Sequence, residues 1–111
     1  MAAEKNFENK IKAFLKLHNC YFIKYWAGGQ FTKSGVPDIL ACIYGHFVGI
    51  EVKGPHGKPS ELQLYNIEQI RKAGGHAMVL YPSAFDDFIK FVDDLKAGVP
   101  IHPNAYDVIW K

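Results

Sequence analysis

Apolar residues change their spacing several times along the chain, and each change predicts an element. Phe7, Ile11, Phe14, Leu15 and His18 recur at helical spacing with lysines on the opposite side, which predicts an amphipathic helix over residues 6–18. The aromatic and β-branched run "CYFIKYW" (20–26) predicts a strand, and "AGGQFTKSG" (27–35), with three glycines, a loop. Two further apolar runs predict strands at 37–44 and 46–53, ended by the Gly/Pro break "GPHGKP" (54–59). In "SELQLYNIEQIRKAGG", Ser60 is an N-cap, Leu64, Ile67, Ile70 and Arg71 share a side, and Gly74-Gly75 stop the helix. "HAMVLYP" (76–82) predicts another strand. "SAFDDFIKFVDDLKAG" predicts a last helix with Phe85, Phe88, Ile89, Val92 and Leu95 as its stripe. The order α-β-β-β-α-β-α predicts an α/β fold, one short mixed sheet flanked by helices. One domain over 1–96 is expected, with a tail at 97–111 that packs on it or on a dimer partner.

The strand pair at 37–53 carries charges that a core does not need. Asp38 opens the first strand, and Glu51 and Lys53 interrupt the second. A two-residue turn at Gly45-His46 would pair Tyr44 with Phe47 and set Asp38 opposite Lys53 and Leu40 opposite Glu51. Opposed residues face the same way, so Asp38, Glu51 and Lys53 would converge at the open end of the hairpin. A three-residue turn would send Asp38 to the other face. Taken singly, Asp38 reads as a turn residue and Glu51–Lys53 as a cross-strand ion pair. Together, two carboxylates beside a core call for a cation. Mg²⁺ takes one or two carboxylates, waters and phosphate oxygens. A divalent ion there can polarise a phosphodiester and acidify water, and a neighbouring lysine can stabilise the charge that builds on phosphorus.

Composition and charge narrow the classes. Of 111 residues, 49% are hydrophobic and 14% aromatic, which supports a packed core. No apolar run reaches the roughly 18 residues of a membrane span. "MAAEKNFENK" lacks the apolar stretch of a signal peptide, so the expected setting is cytoplasmic. Cys20 and Cys42 match no metal spacing and read as small core residues, and the five histidines are dispersed. Net charge is +2, but residues 1–82 hold ten Lys/Arg against six acids, while the remainder holds three against five. The positive excess lies in the part that carries the odd acids, which suits an anionic partner.

"Pro37-Asp38 … Glu51-Val52-Lys53" resembles the motif of the PD-(D/E)XK nuclease superfamily. The longer string "SGVPDILA…GIEVKGPHGKPSELQLYNIEQIRKAGGHAMVL" resembles the virus-type replication-repair nuclease (VRR-NUC) domain over roughly Glu8 to Leu80. The resemblance implies a restriction-endonuclease-like αβββαβ core. It also implies metal binding by Asp38 and Glu51, a catalytic Lys53, and a Val52 carbonyl that completes the metal shell. Glu8, with Ile11 and Leu15, fits the family's helical glutamate, a further metal ligand. Glu4 is a rival for that role, and a surface Glu8–Lys12 pair is the bland alternative. Gln63 matches the glutamine of the following helix, although Ser60-x-x-Gln63 is also a capping box.

Lys33, Ser34 and Lys58 are candidate DNA contacts from flexible segments next to the motif. Tyr21, Phe22, Tyr25 and Trp26 could stack on bases, or serve core and interface packing. The expectation is a hydrolase, a Mg²⁺- or Mn²⁺-dependent endonuclease holding one or two ions. With no appended reading domain it would recognise DNA shape. The resemblance implies a homodimer that resolves four-way (Holliday) junctions, with "AYDVIW" and the aromatic strand as candidate dimer surfaces. The alternatives are a flap- or nick-directed repair nuclease and a module that binds nucleic acid without cutting it.

Overall fold

A computed structural model describes residues 2–26, 28–30, 32–102 and 105–110. Helix α1 (Ala2–Leu17) begins four residues ahead of the predicted start, because Ala2, Ala3, Glu4 and Lys5 are helix formers and Glu4 complements the N-terminal dipole. Strands β1 (Tyr21–Lys24), β2 (Ile39–Ile43) and β3 (His46–Val52) form an antiparallel meander. Helix α2 (Glu61–Lys72) then crosses to β4 (His76–Leu80), which runs parallel to β3. The result is an α/β fold with a four-stranded mixed sheet in the order β1-β2-β3-β4, flanked by helices. That is the arrangement expected of a restriction-endonuclease-like core. No described helix is long and apolar enough to cross a membrane.

Strand alternation separates two unequal faces. One carries Ile39, Ile43, Val48, Ile50, Met78 and Leu80, all fully buried under α1 and under α3 (Phe85–Ala97), which follows a 3₁₀ turn at Pro82–Ala84. Phe91 joins the α3 stripe, and Ile89 lies at its edge. The tail adds Tyr106 and Ile109 to this core through α4 (Asp107–Trp110), and Arg71 donates to the Trp110 carbonyl at 2.7 Å. The apolar cluster on the other face is small, Ala77 and Val79 against Ile67 of α2, with Ile70 and Tyr81 partly buried beside it. Because this second face is thin, α2 turns a narrow stripe inward: Asn66 and Ile67 are buried, whereas Leu64 is exposed. Cys42, expected in the core, is exposed on its uncovered half beside Tyr21, Ile23 and Phe47, and Cys20 is half-buried.

The hairpin register differs from the expected one. Ile43 pairs with His46 and Ile39 with Ile50, so the two-residue turn is Tyr44-Gly45, at φ 47° and 87°. Both central residues are left-handed, as the twist of a tight hairpin favours. The ladder is displaced by two residues, a whole strand period, so Asp38 falls in line with Glu51 instead of Lys53. A displacement of two leaves every side chain on its expected face.

The loop before β2 is held against α2. Asn66 Nδ2 donates to the Leu62 carbonyl at 2.9 Å and the Ser34 carbonyl at 3.4 Å. Gly35, at φ 80°, passes so close that a Cβ would stand 2.6 Å from Leu62 Cγ and 3.0 Å from the Leu62 carbonyl oxygen. Gly45 has a similar φ and open space around it. In urea unfolding, Gly35→Ala is expected to cost about 2–3 kcal/mol and Gly45→Ala about 1 kcal/mol, since only the former adds a clash to the left-handed strain. Equal losses would show that the loop does not pack on α2 as described.

Candidate functional site

Asp38 stands one residue ahead of β2. Its carbonyl accepts from the Tyr25 N–H at 2.8 Å, and its Oδ2 accepts from the Val52 N–H at 2.9 Å. A side chain thus takes over where the β2–β3 ladder ends, and this places the carboxylate between the two strand ends. Beside it, Glu51 is only 2% exposed. Its Oε2 accepts from Gln63 Nε2 at 3.0 Å and lies 3.4 Å from Lys53 Nζ. Its Oε1 is buried without a hydrogen-bond partner. Asp38, Glu51, Lys53 and Gln63 are therefore brought together at one end of the sheet, although the register that does so is not the expected one.

The electrostatics follow from burial. Desolvation, reinforced by the Asp38 charge, pushes the Glu51 carboxyl up to about 8 against the pull of Lys53. An orphaned carboxylate oxygen next to a second carboxylate fits a hard cation. The side chain of Val52 is fully buried, so only its backbone is available to such an ion. Among the described residues no group of three or more His, Cys, Asp or Glu side chains converges. The oxygen set is a sparse one, of the kind in which Mg²⁺ keeps several waters.

Gln63 completes the capping box and reaches Glu51 at the same time. Its Oε1 accepts from the Ser60 N–H at 2.8 Å while the Gln63 N–H donates to Ser60 Oγ at 3.1 Å, a complete capping box. The amide's other end is thereby aimed at Glu51. Lys53 packs over Gly57, where a Cβ would stand 3.2 Å from its Cδ, and Tyr81 donates to the Gly57 carbonyl at 2.8 Å.

Glu8 lies nearby in a different environment. It is 6% exposed, and Lys24 (2.7 Å), Lys12 (2.9 Å) and Lys5 (3.3 Å) all reach its carboxylate. Burial alone would raise its pKa, but the Lys24 and Lys12 ammoniums outweigh that and hold it at about 2. Lys24 also stands 3.6 Å from Asp38 Oδ1, so it joins Glu8 to the Asp38–Glu51 pair. Glu4 approaches Gly54 on the strand exit, away from Asp38's lysine link. Lys33, Ser34 and Lys58 are exposed, and the Lys33 N–H donates to the Tyr25 hydroxyl at 2.7 Å.

Sequence reasoning passed over Lys24. Its signal was present: a lone charge inside an aromatic, β-branched strand, the same irregularity that marks Glu51 and Lys53. No protein-family model matches the chain, and no curated protein matches it.

The raised Glu51 pKa has a sign that can be checked. Between the ordinary value of 4.5 and about 8 the folded protein holds a proton that the unfolded chain releases. In EDTA, stability should therefore fall as pH rises through this window, by on the order of 1 kcal/mol per pH unit. Glu51→Gln, which mimics the protonated acid, should flatten that slope in urea melts at pH 5 to 8. An unchanged slope in the variant would remove Glu51 as its cause.

Proposed function

We propose that this chain is a divalent-metal-dependent DNA endonuclease of the VRR-NUC type, hydrolysing phosphodiester bonds at the Asp38–Glu51–Lys53 centre. The observation that carries the reading is the buried Glu51 carboxylate, set beside Asp38 with one oxygen unpartnered and a lysine 3.4 Å from the other. Asp38, Glu51 and the Val52 carbonyl would hold Mg²⁺ or Mn²⁺. When bound, such an ion supplies Lewis acidity to a phosphoryl oxygen and lowers the pKa of water.

The remaining steps belong to the chain's own groups. Lys53 presents an ammonium where a phosphoryl oxygen gains negative charge as water adds to phosphorus. Gln63, locked by its capping box, keeps Glu51 Oε2 directed. Asp38 is fixed through the Val52 N–H, so the two carboxylates keep a constant separation without loop rearrangement. Water adds to phosphorus, one P–O ester bond breaks, and a proton passes to the departing alkoxide, leaving a phosphate monoester and a free hydroxyl. The resemblance to VRR-NUC domains supplies the substrate class, branched DNA with a four-way junction foremost, and a homodimer as the cutting unit.

The test is a panel of four-way junction, flap, nicked and linear DNAs with Mg²⁺ or Mn²⁺. Cleavage should require the ion and favour the junction. Asp38→Ala and Lys53→Ala should each reduce it at least a hundredfold, on the order of what the loss of one charge-stabilising group costs, with circular dichroism unchanged. Junction binding without cleavage under any divalent ion would favour a non-cutting module. Preference for flaps or nicks would redirect the substrate assignment to repair intermediates, and activity that survives both substitutions would refute the site.

A further inference from the structure

The cluster on Glu8 holds more cations than its carboxylate needs. One ammonium neutralises a buried acid, yet Lys5, Lys12 and Lys24 all converge on it. Two of them are themselves partly withdrawn from water, with side chains 24% exposed for Lys12 and 18% for Lys24. Gathering partly desolvated like charges is costly, and a merely structural pair would not require it. Each ammonium has three donors, and Glu8 occupies one of each. Asp38 Oδ1 also faces Lys24 Nζ at 3.6 Å, so two donors each on Lys5 and Lys12 and one on Lys24 remain for an external acceptor.

We propose that Lys5, Lys12 and Lys24, organised by the buried Glu8, form a clamp for a backbone phosphate of nucleic acid next to the Asp38–Glu51 centre. This rests on the nuclease reading and sharpens it: Glu8 positions lysines and does not ligate the metal. Both Glu8 oxygens are already engaged, Oε1 by Lys24 and Oε2 by Lys12 and Lys5. The clamp also borders the centre directly, since Lys24 Nζ lies 3.6 Å from Asp38 Oδ1. Lys24 further sits 5.3 Å from the centre of the Trp26 ring, and Trp26 is 69% exposed. An aromatic face beside a phosphate site suits a strand whose bases are unstacked, as at a branch point.

The experiment measures fluorescence anisotropy of a labelled four-way junction and a labelled duplex in EDTA across a salt series, with Mn²⁺ affinity taken separately by calorimetry. Lys12→Met and Lys24→Met should each weaken binding roughly three- to tenfold near physiological salt and lower the salt slope, by no more than the roughly 0.7–0.9 that one phosphate contributes. Lys24→Arg should restore most of the loss, and Lys90→Met on α3 should change neither quantity. If Lys24→Met fails to fold, the exposed Lys5→Met and the Lys5→Met/Lys12→Met pair report on the same clamp. Glu8→Gln should leave Mn²⁺ affinity within about twofold, because a metal ligand or its close support would cost ten- to a hundredfold. Wild-type protein that binds DNA as tightly as the lysine variants, with the same slope, overturns the clamp and spares the nuclease reading. A tenfold loss of Mn²⁺ affinity in Glu8→Gln overturns the organiser role. Wild-type protein that binds no DNA at low salt overturns both readings.

Discussion

The burial of one carboxylate constrains most of this molecule. Glu51 lies on the central strand, beneath the start of α2, where water is nearly absent. A charge in such a place is costly unless donors or a cation compensate it. The chain supplies Gln63 and Lys53 to one oxygen and nothing to the other, and sets Asp38 alongside, which worsens the repulsion. The backbone makes this placement durable. β3 is hydrogen-bonded on both sides, to β2 and β4, and the Lys53 N–H continues the parallel pairing onto the Leu80 carbonyl at 3.1 Å. Apart from taking up a proton or a cation, Glu51 could leave this environment only by opening the middle of the sheet.

The turn shows which part of the hairpin was legible. Alternation along "DILACIYGHFVGIEVK" assigns each residue to a face, and the structure keeps that assignment through a two-residue displacement of the ladder. The turn's identity was not legible, because a bulky residue at positive φ is disfavoured in local terms. Tyr44 adopts φ 47° with support that no local rule contains: its hydroxyl donates to the His18 carbonyl at 3.3 Å, and Lys96 lies over its ring. Contacts to the ends of α1 and α3 outweigh the propensity. The convergence of Asp38, Glu51 and Lys53 was thus readable from strand parity and a two-residue turn, whereas their pairing depended on tertiary contacts.

The same division runs through the helices. The α2 boundaries and its capping box were written in Ser60, Gln63 and the Gly74-Gly75 stop, because caps are local chemistry. Its inward face was not, since the sheet beneath it is narrow and Asn66 is more useful there, tying the Ser34 loop to the helix, than Leu64 would be. Gln63 illustrates how a cap can also serve a neighbouring carboxylate. An amide has an acceptor end and a donor end, and the cap uses one to orient the other. For Glu8, helical spacing predicted Lys12 as a neighbour, but Lys24 arrives from β1, and no periodicity within α1 can announce it.

Two charge clusters of opposite balance therefore lie side by side at the end of the sheet. At Glu51 there are too few cations: Lys53 and Gln63 reach one oxygen and leave the other bare, while Asp38 alongside faces Lys24. At Glu8 there are too many, three ammoniums on one acid. Lys24 and Asp38, 3.6 Å apart, are where the two meet. The lysines of the second cluster are held on α1 and β1 by Glu8, and of these Lys24 reaches Asp38. Such an arrangement is complementary to a ligand that brings both signs at once, a divalent cation for the carboxylates and a phosphate chain for the lysines. On this reading neither cluster is satisfied alone. Nucleic acid entering the lysines would lower the positive potential around Asp38, and a cation held by Asp38 and Glu51 would in turn favour the incoming phosphate. Under the proposed function the two bindings would be coupled through a single lysine–aspartate contact, which would make Lys24 as much a part of the centre as Asp38, Glu51 and Lys53.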